Sequence, residues 1–302
     1  MIKEGTLPLD SLRLAQYAAR TPCYICASDN IGDAELCHRC LAPMALAHQS
    51  RTQKAPPRML ATVGASGVGK TVYLGMLLDM LSRQPDRLQV VARGAFSINL
   101  QQATASALAR GEFPAKTPTE PDRWNWVHCQ VRSVGHKAPV ELIMPDMAGE
   151  ALFEEVDHPN SHEVIHPLLS KCAGVLILID TVKLQAGSLD QDYFTMKLLS
   201  YLAELNSEAK HGGSERPIAF ILTKADECEE CFLDPAGFAQ SRAPGLWRQC
   251  QEQFRNVRFF AAGVAGGCAY RTRRGARVRV PLRVEPRGII DPFEWLLKQF
   301  KG

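Results

Sequence analysis

The eight residues Gly64-Ala65-Ser66-Gly67-Val68-Gly69-Lys70-Thr71 follow the spacing G-x-x-x-x-G-K-[ST]. Each residue type in that run has a task toward a phosphate chain. The glycines let the backbone curl until its N–H groups face anionic oxygens, and a helix beginning behind them favours the anion. The Lys70 ammonium is placed to reach the outer phosphates, and the Thr71 hydroxyl to ligate Mg²⁺. A nucleoside di- or triphosphate is the ligand this chemistry implies.

Three further clusters follow in order. Asp146-Met147-Ala148-Gly149 ends an apolar run and has the form D-x-x-G. Thr223-Lys224-Ala225-Asp226 ends another and resembles the [NT]-K-x-D guanine motif. There, the Asp226 carboxylate can accept from both N1–H and the exocyclic amine of guanine, a donor pair that adenine lacks. The wrong base would leave the carboxylate unpaired, so such a site discriminates strongly. Lys224 can lay its aliphatic stem along the base. Phe260-Ala261-Ala262-Gly263 closes the series.

These motifs and their order resemble the Ras-like P-loop GTPases, in the branch related to translation factors, from Met59 to the C-terminus. The resemblance extends to bacterial-type GTPases. It implies that Asp146 holds Mg²⁺ through water, that the Gly149 N–H senses the γ-phosphate, and that Thr223, Lys224, Asp226, Ala261 and Ala262 surround the base. The first switch should offer a threonine from the loop between Gly111 and Arg123, Thr117 in preference to Thr119. Three positions depart from the family pattern. Thr223 replaces the usual Asn, Ala261 the usual Ser, and Glu150 the Gln that orients the attacking water. A carboxylate can accept from that water but cannot donate, and it adds negative charge beside the phosphate. The implied activity is slow, Mg²⁺-dependent hydrolysis of GTP to GDP with Lys70, Thr117 and Glu150 as catalytic residues. The expected partners are an effector or activating protein, another GTPase among them. An ATP-dependent activity would require that Asp226 not face the base.

A second chemistry lies upstream. Cys23-Tyr24-Ile25-Cys26 and Cys37-His38-Arg39-Cys40 are two C-x₂-C pairs ten residues apart. Such pairs can hold one structural Zn²⁺ tetrahedrally as a zinc ribbon, with His38 as a neighbour and not a ligand. The metal would supply most of the folding energy of so small a segment.

The elements that must position these residues can be read from periodicity. Strands are expected at Met59–Val63, Trp124–Val134, Val140–Met144, Gly174–Asp180, Ile218–Thr223 and Val257–Ala261. Helices are expected at Leu9–Ala19, Lys70–Ser82, Ile98–Arg110, Ser161–Lys171, Tyr193–Ala209, Leu246–Phe254 and Pro292–Phe300. The short turn Gly135-His136-Lys137 makes its two flanking strands an antiparallel hairpin. The fold class is therefore α/β, a mostly parallel wound sheet with one antiparallel strand, preceded by the zinc ribbon. Residues 1–50 hold the N-terminal helix and ribbon, 51–58 a linker, and 59–302 the nucleotide domain.

Of the 302 residues 46% are hydrophobic, enough for a full core, and a net charge of +3 does not imply a nucleic-acid or membrane partner. Between Gly267 and Arg287, however, seven arginines meet one acidic residue, Glu285. Val278, Val280, Leu282 and Val284 alternate there with Arg277, Arg279 and Arg283, as in a half-buried strand with a basic face. An acidic protein or nucleic acid is the expected partner of that strand. A second reading of the chain is thus a nucleotide-stabilised scaffold that binds nucleic acid or protein through the ribbon and this strand. Ten cysteines without a signal-like N-terminus point to the cytoplasm, and no apolar run approaches a transmembrane length. Cys228 and Cys231 are read as a buried thiol pair, His158, His162 and His166 as a solvated surface, and Trp124 and Trp126 as packing residues.

Overall fold

The computed structural model describes residues 20–52, 56–83, 88–133, 139–208, 216–273 and 275–300. The expected helix at Leu9–Ala19 and the turn at residues 135–137 lie outside them. The described residues begin with β1 (Arg20–Pro22), β2 (Asp29–Ile31) and α1 (Met44–Arg51), the two strands forming a separate antiparallel hairpin. Next come β3 (Arg58–Val63), α2 (Lys70–Arg83), β4 (Leu88–Ala92), α3 (Ala95–Ala109), β5 (Asn125–Ser133) and β6 (Val140–Asp146). They are followed by α4 (Gly149–Asp157), α5 (Ile165–Lys171), β7 (Gly174–Asp180), α6 (Thr181–Gln185), α7 (Leu189–Glu208) and β8 (Ile218–Thr223). The last part holds α8 (Glu230–Leu233), α9 (Pro235–Arg242), α10 (Pro244–Gln253), β9 (Val257–Ala262), β10 (Cys268–Arg273), β11 (Ala276–Pro281) and α11 (Ile290–Gln299).

Seven strands form one sheet in the order β4-β5-β6-β3-β7-β8-β9. The five from β6 to β9 are parallel, and β5 runs antiparallel to both of its neighbours. This is the wound α/β sheet with one antiparallel strand that periodicity implies. The central strands read as unbroken apolar runs because helices cover both faces. Along β3, Met59, Ala61 and Val63 face one core layer with α5 and α7, and Leu60 faces the other with α2 and α11. A strand alternates its side chains, so one short run feeds two layers.

Several elements depart from the sequence expectation. β4 pairs with β5 at the sheet edge, where its alternate residues are solvated. Arg51, the first residue of the expected 51–58 linker, is the last residue of α1. The helix expected from Ser161 starts at Ile165, so His158, His162 and His166 do not share one helical face. The basic hairpin β10–β11 stands apart from the main sheet. Its apolar face is not uniformly buried either. Val280 is buried, whereas Val278, Leu282 and Val284 are exposed.

The cysteine segment is not a bead on a string. Cys23, Ile25, Cys37, Cys40, Met44 and Leu46 belong to the same core cluster as β3 and α5. The Tyr24 hydroxyl donates to the Pro57 carbonyl, and Lys171 Nζ to the Ile25 carbonyl at 2.7 Å. Inside the contact, the buried His128 ring joins Gln49 Oε1 at 2.6 Å on one nitrogen and Glu141 Oε1 at 2.7 Å on the other. Burial holds His128 below the ordinary histidine pKa, and the Glu141 hydrogen bond opposes that shift.

Candidate functional site

The phosphate loop connects β3 to α2 at the C-terminal edge of the sheet, where wound α/β folds place their clefts. Gly69 has φ 99°, a conformation that L side chains rarely adopt, and this lets the loop close over the helix start. Residues Ser66 to Tyr73 line a cleft of about 320 Å³. Lys70 is buried, and its ammonium donates to the Gly64 carbonyl at 2.8 Å and the Ala65 carbonyl at 3.1 Å. Burial lowers its pKa to about 8, against the pull of Asp146 and Glu150. A desolvated cation bonded only to neutral carbonyls has an unmet demand for anionic oxygen.

Beside it, three oxygens converge. Thr71 and Thr117 hydroxyls donate to Asp146 Oδ2 at 2.8 and 2.9 Å, and the two hydroxyl oxygens are 3.0 Å apart. An octahedron with Mg–O of about 2.1 Å has edges near 3 Å, so this spacing fits the ion. Asp146 is fully buried, and burial raises its carboxyl pKa. Its Oδ1 has no hydrogen-bond partner among the described residues. An orphaned carboxylate oxygen at that depth calls for a cation. The loop brings Thr117 to this point, and Thr119 makes no such contact among the bonds of the described residues.

Gly149 and Glu150 begin α4 against the phosphate loop. A Cβ on Gly149 would stand 2.4 Å from the Ser66 amide nitrogen, so only glycine allows this approach. Glu150 accepts from the Ser66 hydroxyl at 2.6 Å and lies 3.5 Å from Lys116 Nζ. Burial works to raise its pKa, but the Ser66 hydroxyl, its own amide and Lys116 outweigh that and hold it low.

β8 delivers the Thr223–Asp226 cluster to the same cleft. The Thr223 hydroxyl lies 2.8 Å from the Val68 carbonyl and 3.0 Å from that of Ile179, tying the cluster to the phosphate loop. Lys224 holds a left-handed backbone conformation with φ 58° and ion-pairs with the buried Asp180. Asp226 Oδ2 is buried in the cleft wall with no hydrogen-bond partner among the described residues. Ala262 lines the cleft, joined by Gly263, Val264 and Ala265, whereas Ala261 is not among its lining residues. Among the lining residues that carried no motif in the sequence are Phe113 and Lys116 from the loop before β5, and Arg279 from β11.

The four thiols form the second site. Cys23 and Cys40 Sγ are 3.6 Å apart, as are Cys26 and Cys37, and all four atoms lie within 4.8 Å of one another. A tetrahedron with Zn–S of about 2.3 Å has edges near 3.8 Å, so the set fits zinc. The two pairs also share one turn. Ala27 donates to the Cys23 carbonyl and Leu41 to that of Cys37, both at 3.0 Å, and both residues have positive φ, 63° and 59°. The Cys40 thiol beside Cys23 holds its pKa down to about 5, while Cys23 and burial push Cys40 up. Four crowded thiols of this kind ionise together only around a cation. His38 Nδ1 lies 3.0 Å from Asn30 Oδ1, outside the cluster. Cys228 and Cys231 are buried, as are Trp124 and Trp126. No helix among the described residues is long and apolar enough to cross a membrane.

No curated protein matches the chain in sequence. Among solved structures it is similar to the Saccharomyces cerevisiae Ski7 GTPase-like domain bound to GTP. There the identity is 15%, with 80% of this chain and 50% of that one covered and a TM-score of 0.42. It is also similar to Methanosarcina barkeri Roco2 RocCORdC bound to GDP, at 14% identity, 80% and 48% coverage, and a TM-score of 0.37. For the signal recognition particle receptor SRb-GTP/SRX complex from Chaetomium thermophilum the values are 15%, 69% and 91%, and 0.39. The chain thus spans about half the length of the Roco2 and Ski7 chains it matches. Residues 58–265, more than half of the sequence and the part that carries the phosphate loop, Asp146 and Asp226, match the model of the Double-GTPase 2 family, and the chain belongs to that family.

Proposed function

We propose that the chain binds GTP with Mg²⁺ in this cleft, hydrolyses it slowly, and presents the loops around Thr117 and Glu150 to a protein partner. The observation that carries the guanine assignment is Asp226 Oδ2, a buried carboxylate oxygen in the cleft wall with no hydrogen-bond partner among the described residues. Guanine supplies the two donors that such an oxygen pair lacks. The Gly64–Thr71 backbone would cradle the phosphates, Lys70 would neutralise the outer two, and Thr71, Thr117 and Asp146 would hold the metal. Bound there, Mg²⁺ supplies charge neutralisation at the bridging and terminal phosphate oxygens. Lys224 and Ala262 would flank the base. The cytoplasm suits a chain this rich in unpaired thiols. One zinc would hold Cys23, Cys26, Cys37 and Cys40 together, as a structural site with no open position.

The test of base choice is nucleotide competition. Wild-type protein should prefer GTP over ATP by at least about 100-fold. Asp226→Asn should lose that preference and gain xanthosine triphosphate, whose ring presents the complementary pattern. Equal affinity of wild type for ATP and GTP would sink the assignment.

The test of turnover is single-turnover hydrolysis. Glu150 can accept from an attacking water but cannot donate to phosphate, and Lys116 offsets only part of its charge. Glu150→Gln, which restores a donor and removes the charge, should raise the rate about ten-fold, and Glu150→Ala should lower it. Rates indifferent to both substitutions would place the water under another residue.

The scaffold reading draws on one observation, the solvent-facing Tyr270, Val278 and Leu282 among the arginines of β10–β11. An acidic protein surface suits that mixture, and a nucleic acid is its rival.

A further inference from the structure

The cleft has a cover that comes from outside the main sheet. The hairpin β10–β11 grows out of the loop after β9, and its base is fixed there by paired backbone bonds. Gly263 and Arg287 exchange N–H···O bonds of 3.0 and 2.9 Å, Glu285 donates to Val264 at 2.8 Å, and Leu282 to Gly267 at 3.0 Å. Val264 and Ala265 line the cleft themselves, so the hairpin is rooted in its wall. Most of this hairpin lies beyond the stretch that matches the family model, residues 58–265.

One arginine of the hairpin turns inward. Arg279 lines the cleft, with its side chain 22% exposed, and ion-pairs with Glu227, the neighbour of Asp226. Its guanidinium carbon stands 5.8 Å from the centre of the Phe113 ring. Phe113 lies four residues before Thr117, in the loop that reaches the metal corner. Burial lowers the Arg279 pKa, and the nearby Asp226 and Asp180 carboxylates oppose that shift. By contrast Arg277 lies outside, over the exposed Tyr270 ring at 4.1 Å. A planar guanidinium can ion-pair through its edge and stack through its face at once, which an ammonium cannot.

We propose that Arg279 is a clasp. It joins the Phe113 loop to the β8 end of the cleft through Glu227, so that bound nucleotide leaves only when the hairpin lifts. The clasp rests on the GTP-binding reading above and adds to it a control over release that acts from the hairpin. Arg279 is a positioning residue here, acting through Phe113 and Glu227.

The experiment measures dissociation of a fluorescent GDP from the full chain, with Mg²⁺, for wild type, Arg279→Ala, Phe113→Ala and the double variant. Losing a partly desolvated cation–π contact together with an ion pair should speed release about ten-fold in Arg279→Ala. In the Phe113→Ala background the same substitution should add little, because the clasp is already open. Arg279→Lys, which keeps charge without the planar face, should fall between and serves as the variant if alanine impairs folding. Unchanged release in Arg279→Ala, or full additivity with Phe113→Ala, would overturn the clasp while leaving GTP binding intact. A purely structural role for Arg279 would lower the melting temperature without changing release, and that result also overturns it. Wild type that takes up no guanine nucleotide would overturn the proposed function, and the clasp with it.

Discussion

Lys70→Ala should reduce GTP affinity by at least about 100-fold while the chain stays folded. A charge-assisted hydrogen bond contributes about 1.5–3 kcal/mol, and a lysine serving two phosphates stands at the upper end or beyond. In the free protein the Lys70 ammonium is desolvated and bonded only to the Gly64 and Ala65 carbonyls. Those bonds do not hold the fold together at that point; they store a cation. Removing it therefore takes more from the complex than from the free chain. Calorimetric titration with GTP, beside a melting curve of the free protein, measures both. Affinity within a factor of three of wild type would show that the phosphates lie elsewhere.

Cys23→Ser with Cys26→Ser should release about one zinc per chain and lower the melting temperature of the whole molecule, by about 10 °C or more. A free-standing ribbon would unfold alone and leave the nucleotide domain as it was. The packing argues otherwise. Cys23, Cys37, Cys40, Ile25 and Met44 share a core cluster with β3, whose far end carries the phosphate loop. His128 is buried between Gln49 of α1 and Glu141 of β6, and would lose one partner if α1 came away. Metal analysis and scanning calorimetry, with and without chelator, are the measurements. A nucleotide-domain transition that keeps its temperature after metal loss would show that the shared core contributes little.

What could be read in the sequence was what is contiguous. The phosphate loop, D-x-x-G, T-K-x-D and the C-x₂-C pairs each confine their chemistry to a few neighbouring residues, and the first three each sit at the end of an apolar run. The wound sheet was legible for the same reason, since strands buried on both faces are apolar throughout. Helix α4 escaped because a charged residue takes a core position in it. Glu155 is fully buried, accepting from the Tyr201 hydroxyl at 2.7 Å and the Asn160 and His162 amides at 3.0 and 2.8 Å. β4 escaped because an edge strand with half its residues in water carries little apolar signal. Phe113, Lys116 and Arg279 had no local signature at all. Each reaches the cleft from a loop or hairpin whose position is set by tertiary packing, and Arg279 reads in the sequence as part of the basic face of a half-buried strand turned toward a partner.

The strand order carries a consequence for synthesis. β3 is early in the chain yet lies in the middle of the sheet, between β6 and β7. Its partners end at Asp146 and Asp180, so more than a hundred residues must follow Val63 before both of its edges are paired. At about 5–20 residues per second, the ribosome takes on the order of ten seconds to supply them. Until β6 is made, Met59–Val63 is an apolar strand with two open edges, and until β7 follows it keeps one, the condition that favours pairing with another nascent chain. The cysteine knuckles and α1 emerge immediately before it, with all four thiols that would hold a zinc already made. Metal uptake at that stage would give the Met59 face of the strand an early neighbour, and zinc starvation during translation would show as aggregation of newly made chains.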